Sequence, residues 1–293
     1  MTGVRFMLFI IANPTSGSGT GASILAQVEA LLRERGVEYR CEQTLRPGHA
    51  VELADMAARE GVDGVVCLGG DGTVFEIVNG LKGHFMTLYF VPCGTGNDFV
   101  RMLNLPKDPV EALRVQLDGK PHPIDVGQVN EHYFLNVSGC GFDVEVLRQA
   151  GRFKKLGKGL LPYLMGILAA LRFFRPLDIE LTMNGKTEKR AVTIISVGNG
   201  RYFGGGMKAV PHAEIDDGLF DVVIADKVNR LAILRLLSKF ISGGHTDLPI
   251  AHESRCAALT IRCPGMTVNM DGELRQMDVA EYRILPGAAQ VMK

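Results

Sequence analysis

Short apolar runs alternate with segments of helical periodicity over the first 120 residues of the chain. We predict strands at 6–12, 37–41, 64–68 and 86–91, and helices at 22–35, 50–60 and 74–81. Repeated strand–helix units of this kind require a parallel sheet with helices packed over it. The N-terminal part is therefore expected to be an α/β domain that binds ligands at the carboxyl ends of its strands.

The pattern changes after about residue 125. Further strands are predicted at 124–129, 133–138, 179–183, 191–197, 220–224, 257–263 and 267–270, and most follow one another without an intervening helix. This favours a second, largely antiparallel β domain, with helical inserts at about 159–174 and 230–241. We expect two domains, 1–125 and 126–293, with the last few residues free to return to the first.

Charge and cysteine usage exclude several classes of protein. The 293 residues carry 32 Lys+Arg against 32 Asp+Glu, without the basic excess of a nucleic-acid-binding chain, so no nucleic-acid partner is expected. The six cysteines form no CxxC pair, which favours reduced thiols in a cytoplasmic protein over a disulfide framework or a zinc site. The apolar run at 159–171 is too short to cross a bilayer.

Three glycine-rich turns fall at the ends of predicted strands. They occupy residues 13–21, 69–73 and 94–98 and hold eight of the 35 glycines. Glycines let backbone N–H groups approach phosphate oxygens, and a helix N-terminus adds a favourable partial charge. Asp71 in the second turn would repel phosphates unless Mg²⁺ lies between them or the acid serves as a base. A tight turn with Asp71 as helix N-cap explains one such turn equally well, but three at one sheet edge favour a polyphosphate site.

The motifs resemble those of the diacylglycerol kinase-like lipid kinase family, whose fold is related to that of NAD kinases. The resemblance covers nearly the whole chain. It rests on Asn13-Pro-Thr-Ser-Gly17, Gly69-Gly-Asp-Gly-Thr73, Gly94-Thr-Gly-Asn-Asp98, Ile124-Asp-Val-Gly127, Asp216-Asp-Gly-Leu219 and Asp271-Gly-Glu273. It implies an ATP-binding α/β catalytic domain with a Rossmann-like parallel sheet, followed by a lipid-substrate domain that is a mainly antiparallel β-sandwich with helical inserts.

The resemblance also implies roles for individual residues. Glu273 matches the proton acceptor and Asp71 the essential acid of the glycine loop. Asp98 and Asp125 match acids that organise Mg²⁺ and its waters, whereas Asp217, with carbonyl groups of Glu214 and Leu219, matches a separate structural Mg²⁺ site. The implied ATP site consists of Asn13, Pro14, Thr15, Ser16, Gly17, Thr44, Gly70, Asp71, Gly72, Thr73, Glu76, Thr95 and Asn97.

Three positions keep other interpretations open. Phe75 stands where the family usually has Asn, and Ser18 stands where some members have Lys, so the details of the nucleotide contacts stay open. Without the family match, Glu273 is simply a carboxylate beside a hairpin turn.

Residues 152–175 carry six basic residues and no acid, with leucines between them at roughly helical spacing. A basic amphipathic helix of this kind rests on an anionic membrane surface, although a core helix with a solvated basic end has the same sequence pattern. A kinase for a membrane lipid needs a docking surface, and this favours the membrane interpretation.

These observations lead to one main hypothesis and two alternatives. The main one is an ATP- and Mg²⁺-dependent kinase at the cytoplasmic face of the membrane, converting diacylglycerol to phosphatidate. The first alternative is a kinase for another acceptor, namely a sphingoid, ceramide, phosphatidylglycerol or an NAD-like small molecule. The second is a catalytically silent lipid-binding or regulatory protein, against which Asp71 and Glu273 argue. A homodimer is left open.

Overall fold

A computed structural model describes residues 6–81, 83–153 and 161–293. The chain divides into two compact units. Unit 1 comprises Met1–Ile124 together with Gly287–Lys293, and unit 2 comprises Asp125–Pro286.

Unit 1 alternates strands with helices. Its elements are β1 (Met7–Ala12), α1 (Ser16–Gly19), α2 (Gly21–Glu34), β2 (Glu38–Gln43), α3 (His49–Glu60), β3 (Gly64–Gly69), α4 (Asp71–Leu81), β4 (Thr87–Pro92), α5 (Asp98–Met102) and α6 (Pro109–Asp118). The strands lie in the order β4-β3-β1-β2, and each neighbouring pair is parallel. The last strand of the chain, β15 (Glu273–Met292), reaches unit 1 at its end, where Gln290 and Val291 pair in parallel with β4.

The core of unit 1 follows from the apolar pattern of its elements. Every residue of β3 is buried. Helix α2 buries Leu25, Val28 and Leu31, which the 3.6-residue period places on one face, against β1 and β3. Each buried strand therefore ends in a turn at the same edge of the sheet, which positions the glycine-rich turns.

Unit 2 is mainly antiparallel. Its elements are β5 (Pro121–Val129), which begins in unit 1, β6 (His132–Phe134), β7 (Val137–Gly141), α7 (Phe142–Phe153), α8 (Leu161–Phe173), β8 (Leu177–Met183), β9 (Lys186–Gly198), β10 (Tyr202–Phe203), β11 (Met207–Lys208), β12 (Phe220–Asp226), α9 (Arg230–Ser242), β13 (Ala251–Cys256), β14 (Ala258–Met270) and the larger part of β15. The main strand order is β13-β12-β9-β7-β14-β15, with antiparallel pairs.

The structure corrects three predicted elements of unit 2. The strand predicted at 133–138 is two strands, because the N–H groups of Leu135, Asn136 and Val137 donate to the Asp271 carboxylate. The strands predicted at 257–263 and 267–270 are one strand, β14, whose register shifts between Arg262 and Met266. Helix α7 was not predicted at all.

The helices of unit 2 pack around aromatic residues. Phe142, Val146, Ile167, Phe174 and Ile233 form one buried cluster that joins α7, α8 and α9. None of the helices in the described residues has the length and hydropathy needed to span a bilayer.

Candidate functional site

The three glycine-rich turns of unit 1 meet. The Asn13 side chain donates a 3.1 Å hydrogen bond to Thr73 Oγ1 and so joins the first turn to the second. A Cβ on Gly94 would lie 2.5 Å from the Gly70 Cα, so only glycine at position 94 lets the second and third turns approach this closely. A Cβ on Gly17 would lie 2.6 Å from the carbonyl oxygen of Cys93, which brings the first turn against the third. We call residues 13–17, 69–73 and 93–98 the glycine-turn cluster.

Side chains within the cluster stabilise its backbone. Asn13 Oδ1 accepts hydrogen bonds from the Thr15 N–H at 3.1 Å and the Thr15 hydroxyl at 2.8 Å. Asn97, at φ 50°, accepts from the Gly94 N–H and donates to the Gly94 carbonyl. Pro14, Ser16, Gly72 and Thr95 complete the cluster without being buried, so most of the predicted ATP-site residues lie together in it.

Asp71 is the acid of the cluster. Its Oδ1 accepts a 2.7 Å hydrogen bond from the Asp98 N–H, which ties the start of α4 to the start of α5. Burial raises the pKa of this carboxyl, and hydrogen bonds from the backbone N–H groups of Asp98, Asn97 and Phe99 oppose the rise. Asp71 is therefore held in one orientation by the backbone of the neighbouring turn.

Asp71 and Asp98 fit a divalent cation. A Cβ on Gly96 would lie 2.5 Å from Asp71 Oδ2 and 3.6 Å from Asp98 Oδ2, so both carboxylates lie beside Gly96, where another residue would collide with Asp71. Arg101 lies 3.7 Å from the other oxygen of Asp98. Carboxylate oxygens are ligands that Mg²⁺ prefers, so these two side chains would hold the cation.

Two predicted ATP-site residues lie outside the glycine-turn cluster, although Thr44 is bonded to the residue directly before it. Both oxygens of Glu76 accept backbone N–H groups at the start of α3, from Gly48 at 2.9 Å and from Ala50 at 3.2 Å. The N–H of Thr44 donates to the Ala12 carbonyl at 2.8 Å, which places Thr44 beside the end of β1. Phe75, the departure from the family pattern, is buried in α4, and the side chain of Ser18 lies outside the described residues.

Asp125 and Asp217 lie at one turn of unit 2. Asp125 Oδ2 accepts a 2.6 Å hydrogen bond from the Gly218 N–H, and the Asp125 N–H donates to the Ile215 carbonyl. Asp217 forms an ion pair with Arg255, which also lies 3.4 Å from Asp221. The roles of Asp217, Glu214, Leu219 and Asp125 toward a metal stay predictions, and in the described residues no three His, Cys, Asp or Glu side chains cluster as a metal site.

Glu273 follows a rigid turn between β14 and β15. Asp271 and Gly272 both have positive φ, 49° and 98°, as in the tight turns that connect twisted antiparallel strands. The Asp271 carboxylate accepts three backbone N–H groups, from Leu135 at 2.7 Å, Asn136 at 3.0 Å and Val137 at 2.9 Å. The turn that carries Glu273 is thus fixed to the segment between β6 and β7.

A second set of bonds holds the same turn. Asn269 is buried, accepts a 2.9 Å hydrogen bond from the Gly272 N–H and donates to Asp143 Oδ2 at 3.1 Å. The Ser138 hydroxyl donates to the Asn269 carbonyl at 2.7 Å. Sequence reasoning assigned no role to Asp271, Asn269 or Asp143, and the only signal was that Asp271 belongs to a recognised motif.

Unit 2 also contains an apolar cavity. The cavity has a volume of about 90 Å³ and lies among α7, α8, α9 and the strands β9 and β12. Its wall includes Val146, Ile167, Ile194, Val223, Ile233 and Phe240. Asp143 on α7 lines the same space. The mainly apolar wall of this cavity suits a hydrocarbon group.

The site and the fold define a class: a two-domain phosphotransferase whose second domain is mainly antiparallel. A family model described as "Diacylglycerol kinase catalytic domain" matches residues 7–129, and one described as "YegS C-terminal NAD kinase beta sandwich-like domain" matches residues 136–293. The chain belongs to the diacylglycerol kinase family. This confirms the resemblance, the lipid kinase class, and the organisation in two domains with a C-terminal β-sandwich.

Individual relatives agree with the family models. A diacylglycerol kinase of Mycobacterium tuberculosis (strain ATCC 25618 / H37Rv) is 34% identical over 291 residues, which cover 97% of this chain and 94% of that protein. A diacylglycerol kinase of Bacillus subtilis (strain 168) is 32% identical over 277 residues, or 93% of this chain and 91% of that protein. A solved diacylglycerol kinase from Bacillus anthracis str. Sterne has a TM-score of 0.81 at 26% identity, and covers 100% of this chain and 98% of its own.

Proposed function

We propose that this protein transfers the γ-phosphoryl group of ATP to the hydroxyl of a membrane lipid, with diacylglycerol as acceptor and phosphatidate as product. One observation carries the proposal: a single chain holds a glycine-turn cluster with an oriented acid in unit 1 and an apolar cavity in unit 2. The first suits a polyphosphate, and the apolar wall of the second suits part of an acyl chain. The names of the relatives agree with this acceptor.

In unit 1, the phosphates of ATP would lie on the glycine-turn cluster, as nucleotides lie at the strand ends of Rossmann-like sheets. Gly70 and Gly94 carry no side chain, and their contact holds the second and third turns together where phosphate oxygens would lie. Mg²⁺ held by Asp71 and Asp98 would neutralise charge on the phosphates. Asp71 needs a fixed orientation for this role, and the Asp98 N–H supplies it.

In unit 2, Glu273 would accept the proton of the lipid hydroxyl. The hydroxyl oxygen forms a bond to the γ-phosphorus, the bond from that phosphorus to the bridging oxygen breaks, and its electron pair leaves with ADP. A general base must be held at a defined place for this transfer. The bonds to Asp271 and Asn269 hold the turn before Glu273 in this way.

We also propose that α8 and α9 rest on an anionic bilayer. Leu168 and Phe173 on α8 are 54% and 55% exposed, and Leu231 on α9 is 67% exposed. The helices share one buried cluster, and neither 161–176 nor 227–246 contains an acid, whereas both contain exposed arginines. Exposed apolar side chains among cations match a membrane surface at the inner face. The basic residues Lys154, Lys155 and Lys158 of the predicted docking segment lie outside the described residues.

Vesicle sedimentation tests the membrane surface. Leu168→Ser with Leu231→Ser should weaken binding to phosphatidylglycerol vesicles about tenfold, and charge reversal at Lys154, Lys155 and Lys158 should weaken it further. Leu45→Ser, which alters an 85% exposed leucine of unit 1, is the matched control and should bind like wild type. Equal binding of all variants would contradict the docking proposal.

The acceptor is tested by supplying purified protein with Mg²⁺, labelled ATP and a panel of acceptors. The panel contains diacylglycerol, sphingosine, ceramide and phosphatidylglycerol in micelles, together with NAD. We expect label in phosphatidate. Label in another lipid would correct the acceptor, label in NAD alone would overturn the lipid kinase, and no transfer to any acceptor would favour a silent lipid-binding protein.

A further inference from the structure

One ionisable group of the cavity has an oxygen without a protein partner. Asp143 lines the cavity, is 5% exposed, and its Oδ1 has no hydrogen-bond partner among the residues that the structure describes. Thr193, by contrast, donates to the Asp226 carbonyl and accepts from the Val228 N–H. Burying a polar atom without a partner costs free energy, so a ligand atom that forms a hydrogen bond with Oδ1 would be stabilising.

The surroundings of Asp143 favour its neutral form. Burial raises the pKa of this carboxyl to about 6, although hydrogen bonds from Asn269 and from the backbone N–H groups of Val144 and Asp143 oppose the rise. Apolar chains that fill the cavity would remove remaining water and raise the pKa of Asp143 further. A neutral carboxylic acid carries an O–H donor, whereas a carboxylate only accepts.

We propose that Asp143 is the residue that recognises the lipid: as a neutral acid, it donates a hydrogen bond from Oδ1 to an ester carbonyl oxygen of the acylglycerol. The inference rests on the proposed function and adds the chemistry by which unit 2 selects its substrate. Ester carbonyls are the acceptors nearest to the glycerol hydroxyl, so this bond holds the head of the lipid and leaves the chains in the apolar space.

Asp143 is also linked by hydrogen bonds to the turn that carries Glu273, the proposed proton acceptor. Its Oδ2 accepts from Asn269 Nδ2, and Asn269 Oδ1 accepts from the N–H of Gly272, the residue before Glu273. Two hydrogen bonds of 3.1 and 2.9 Å therefore connect the recognition residue with the Glu273 turn. A carbonyl bound at Asp143 positions the adjacent hydroxyl relative to that turn.

The test compares two lipids that differ only in the proposed acceptor. Dioleoylglycerol and di-O-oleylglycerol have the same hydroxyl and chains, but the ether lacks both carbonyls. Binding to micelles of each is measured without nucleotide. Wild type should prefer the ester about fivefold, the value of one neutral hydrogen bond. Asp143→Ala should reduce that preference to less than twofold.

Asp143→Asn should keep the preference. Its carbonyl oxygen can still accept from Asn269, and its amide NH₂ replaces the acid O–H as donor. Glu145→Gln is the matched control on the same helix, since Glu145 bonds to Gln149 and pairs with Arg148 without lining the cavity. This variant should behave like wild type.

A pH series measures how the preference for the ester depends on pH, and this dependence should be absent if Asp143 has only a structural role. The wild-type preference for the ester should fall from pH 5.5 to pH 8, because ionised Asp143 cannot donate, whereas the preference of Asp143→Asn should stay constant. Three other titratable groups lie near Asp143: Cys140, Tyr282 and, in the wall of the cavity, His245. Burial raises the pKa of the Cys140 thiol and of the Tyr282 phenol, and it lowers the pKa of the His245 imidazole. All three groups are therefore neutral at pH 7. They are also unchanged in the Asn variant.

The outcomes separate the two proposals. A wild type without preference for the ester, or an Asp143→Ala variant that keeps it, would overturn the role of Asp143. A preference that grows with pH would also overturn it, because an ionised Asp143 has no proton to donate to the ester carbonyl. Since binding is measured without ATP, absence of phosphoryl transfer would overturn the proposed function and leave this result standing. If Asp143→Ala fails to fold, the pH series with Asp143→Asn decides.

Discussion

The glycine-turn cluster of unit 1 and the Glu273 turn of unit 2 reach rigidity by different means. In the cluster, glycines bring backbone against backbone, and the closest approach is between Gly70 and Gly94. At the Glu273 turn, side chains hold the backbone: Asp271 takes three N–H groups, and Asn269 takes one and donates to Asp143. The glycine-turn cluster therefore suits a ligand that binds to backbone groups. The Glu273 turn instead holds the side chain of one residue, Glu273, in a defined position.

The difference predicts how each region responds to change. In the cluster, substitution of a glycine at a turn contact should lower activity and stability, whereas substitution of surrounding residues should not. At the Glu273 turn, loss of the single charge of Asp271 should lower both, whereas substitution of neighbouring residues should not. The following predictions run from the largest expected effect to the smallest.

Replacing Asp71 should have the largest effect on catalysis. Asp71→Asn keeps the shape of the side chain and removes its charge, so we expect kcat for lipid phosphorylation to fall about 10³-fold while the fold is retained. Labelled phosphatidate formation measures the rate. Asp118→Asn, which alters an exposed carboxylate paired with Arg35 in the same unit, is the control and should leave kcat unchanged. Wild-type turnover by Asp71→Asn would remove Asp71 from the mechanism.

An added methyl group should separate the turns of unit 1. The Cβ of Gly94→Ala would lie 2.5 Å from the Gly70 Cα and 2.7 Å from Asn97 Oδ1, so the backbone must shift. We expect kcat/KM for ATP to fall about 10²-fold and the free energy of unfolding to fall by about 2 kcal/mol. In Gly151→Ala, by contrast, the new Cβ has no neighbour within 4 Å, so this helical substitution should be neutral or slightly stabilising. Equal behaviour of the two variants would show that close approach of the turns is unimportant.

Neutralising Asp271 should loosen the Glu273 turn. In Asp271→Asn the amide NH₂ faces backbone N–H groups that the carboxylate accepted, so we expect a loss of about 2 kcal/mol in the free energy of unfolding and a fall in kcat of about tenfold. Asp278→Asn is matched to it, because Asp278 accepts one N–H, from Gly265, at the exposed bulge between the same two strands. It should cost less than about 1 kcal/mol and leave kcat unchanged. A fall in kcat of equal size in both variants would contradict a specific role for Asp271.

Asp143→Asn should have the smallest effect, visible as a pH-dependent change in stability. The folded-state pKa of Asp143, about 6, lies above its usual value of 3.8, so ionisation of Asp143 opposes folding. This destabilisation grows as pH rises from about 4 to 6 and is constant above. Asp143→Asn avoids it and should gain about 1–2 kcal/mol more at pH 8 than at pH 5, relative to wild type. A gain independent of pH would mean that Asp143 does not titrate in the folded state.

The same comparison explains which features of the fold and of the candidate site could be predicted from the sequence. The glycine turns are predictable from the sequence, because a strand, glycines, an acid and a helix follow one another within a few residues, and their role toward the nucleotide stays a prediction. The role of Glu76 at the start of α3 could not be read in this way, since its partners Gly48 and Ala50 are more than 20 residues distant. Asp143 and Asn269 are 126 residues apart, so their bond depends on strand pairing that no local pattern encodes. Helix α7 was missed because it follows β7 directly, without an intervening turn.

Hydrogen exchange with each substrate alone tests most directly the central claim, that unit 1 holds the nucleotide and unit 2 the lipid. With Mg²⁺ and a non-hydrolysable ATP analogue, we expect amides at 13–17, 69–73 and 93–98 to become protected while α7, α8 and α9 exchange as before. With dioleoylglycerol in micelles, protection should instead appear in those helices and around Asp143 and Asn269, relative to micelles without the lipid. Protection of the same unit by both ligands, or a nucleotide that leaves the glycine-turn cluster unprotected, would contradict the account.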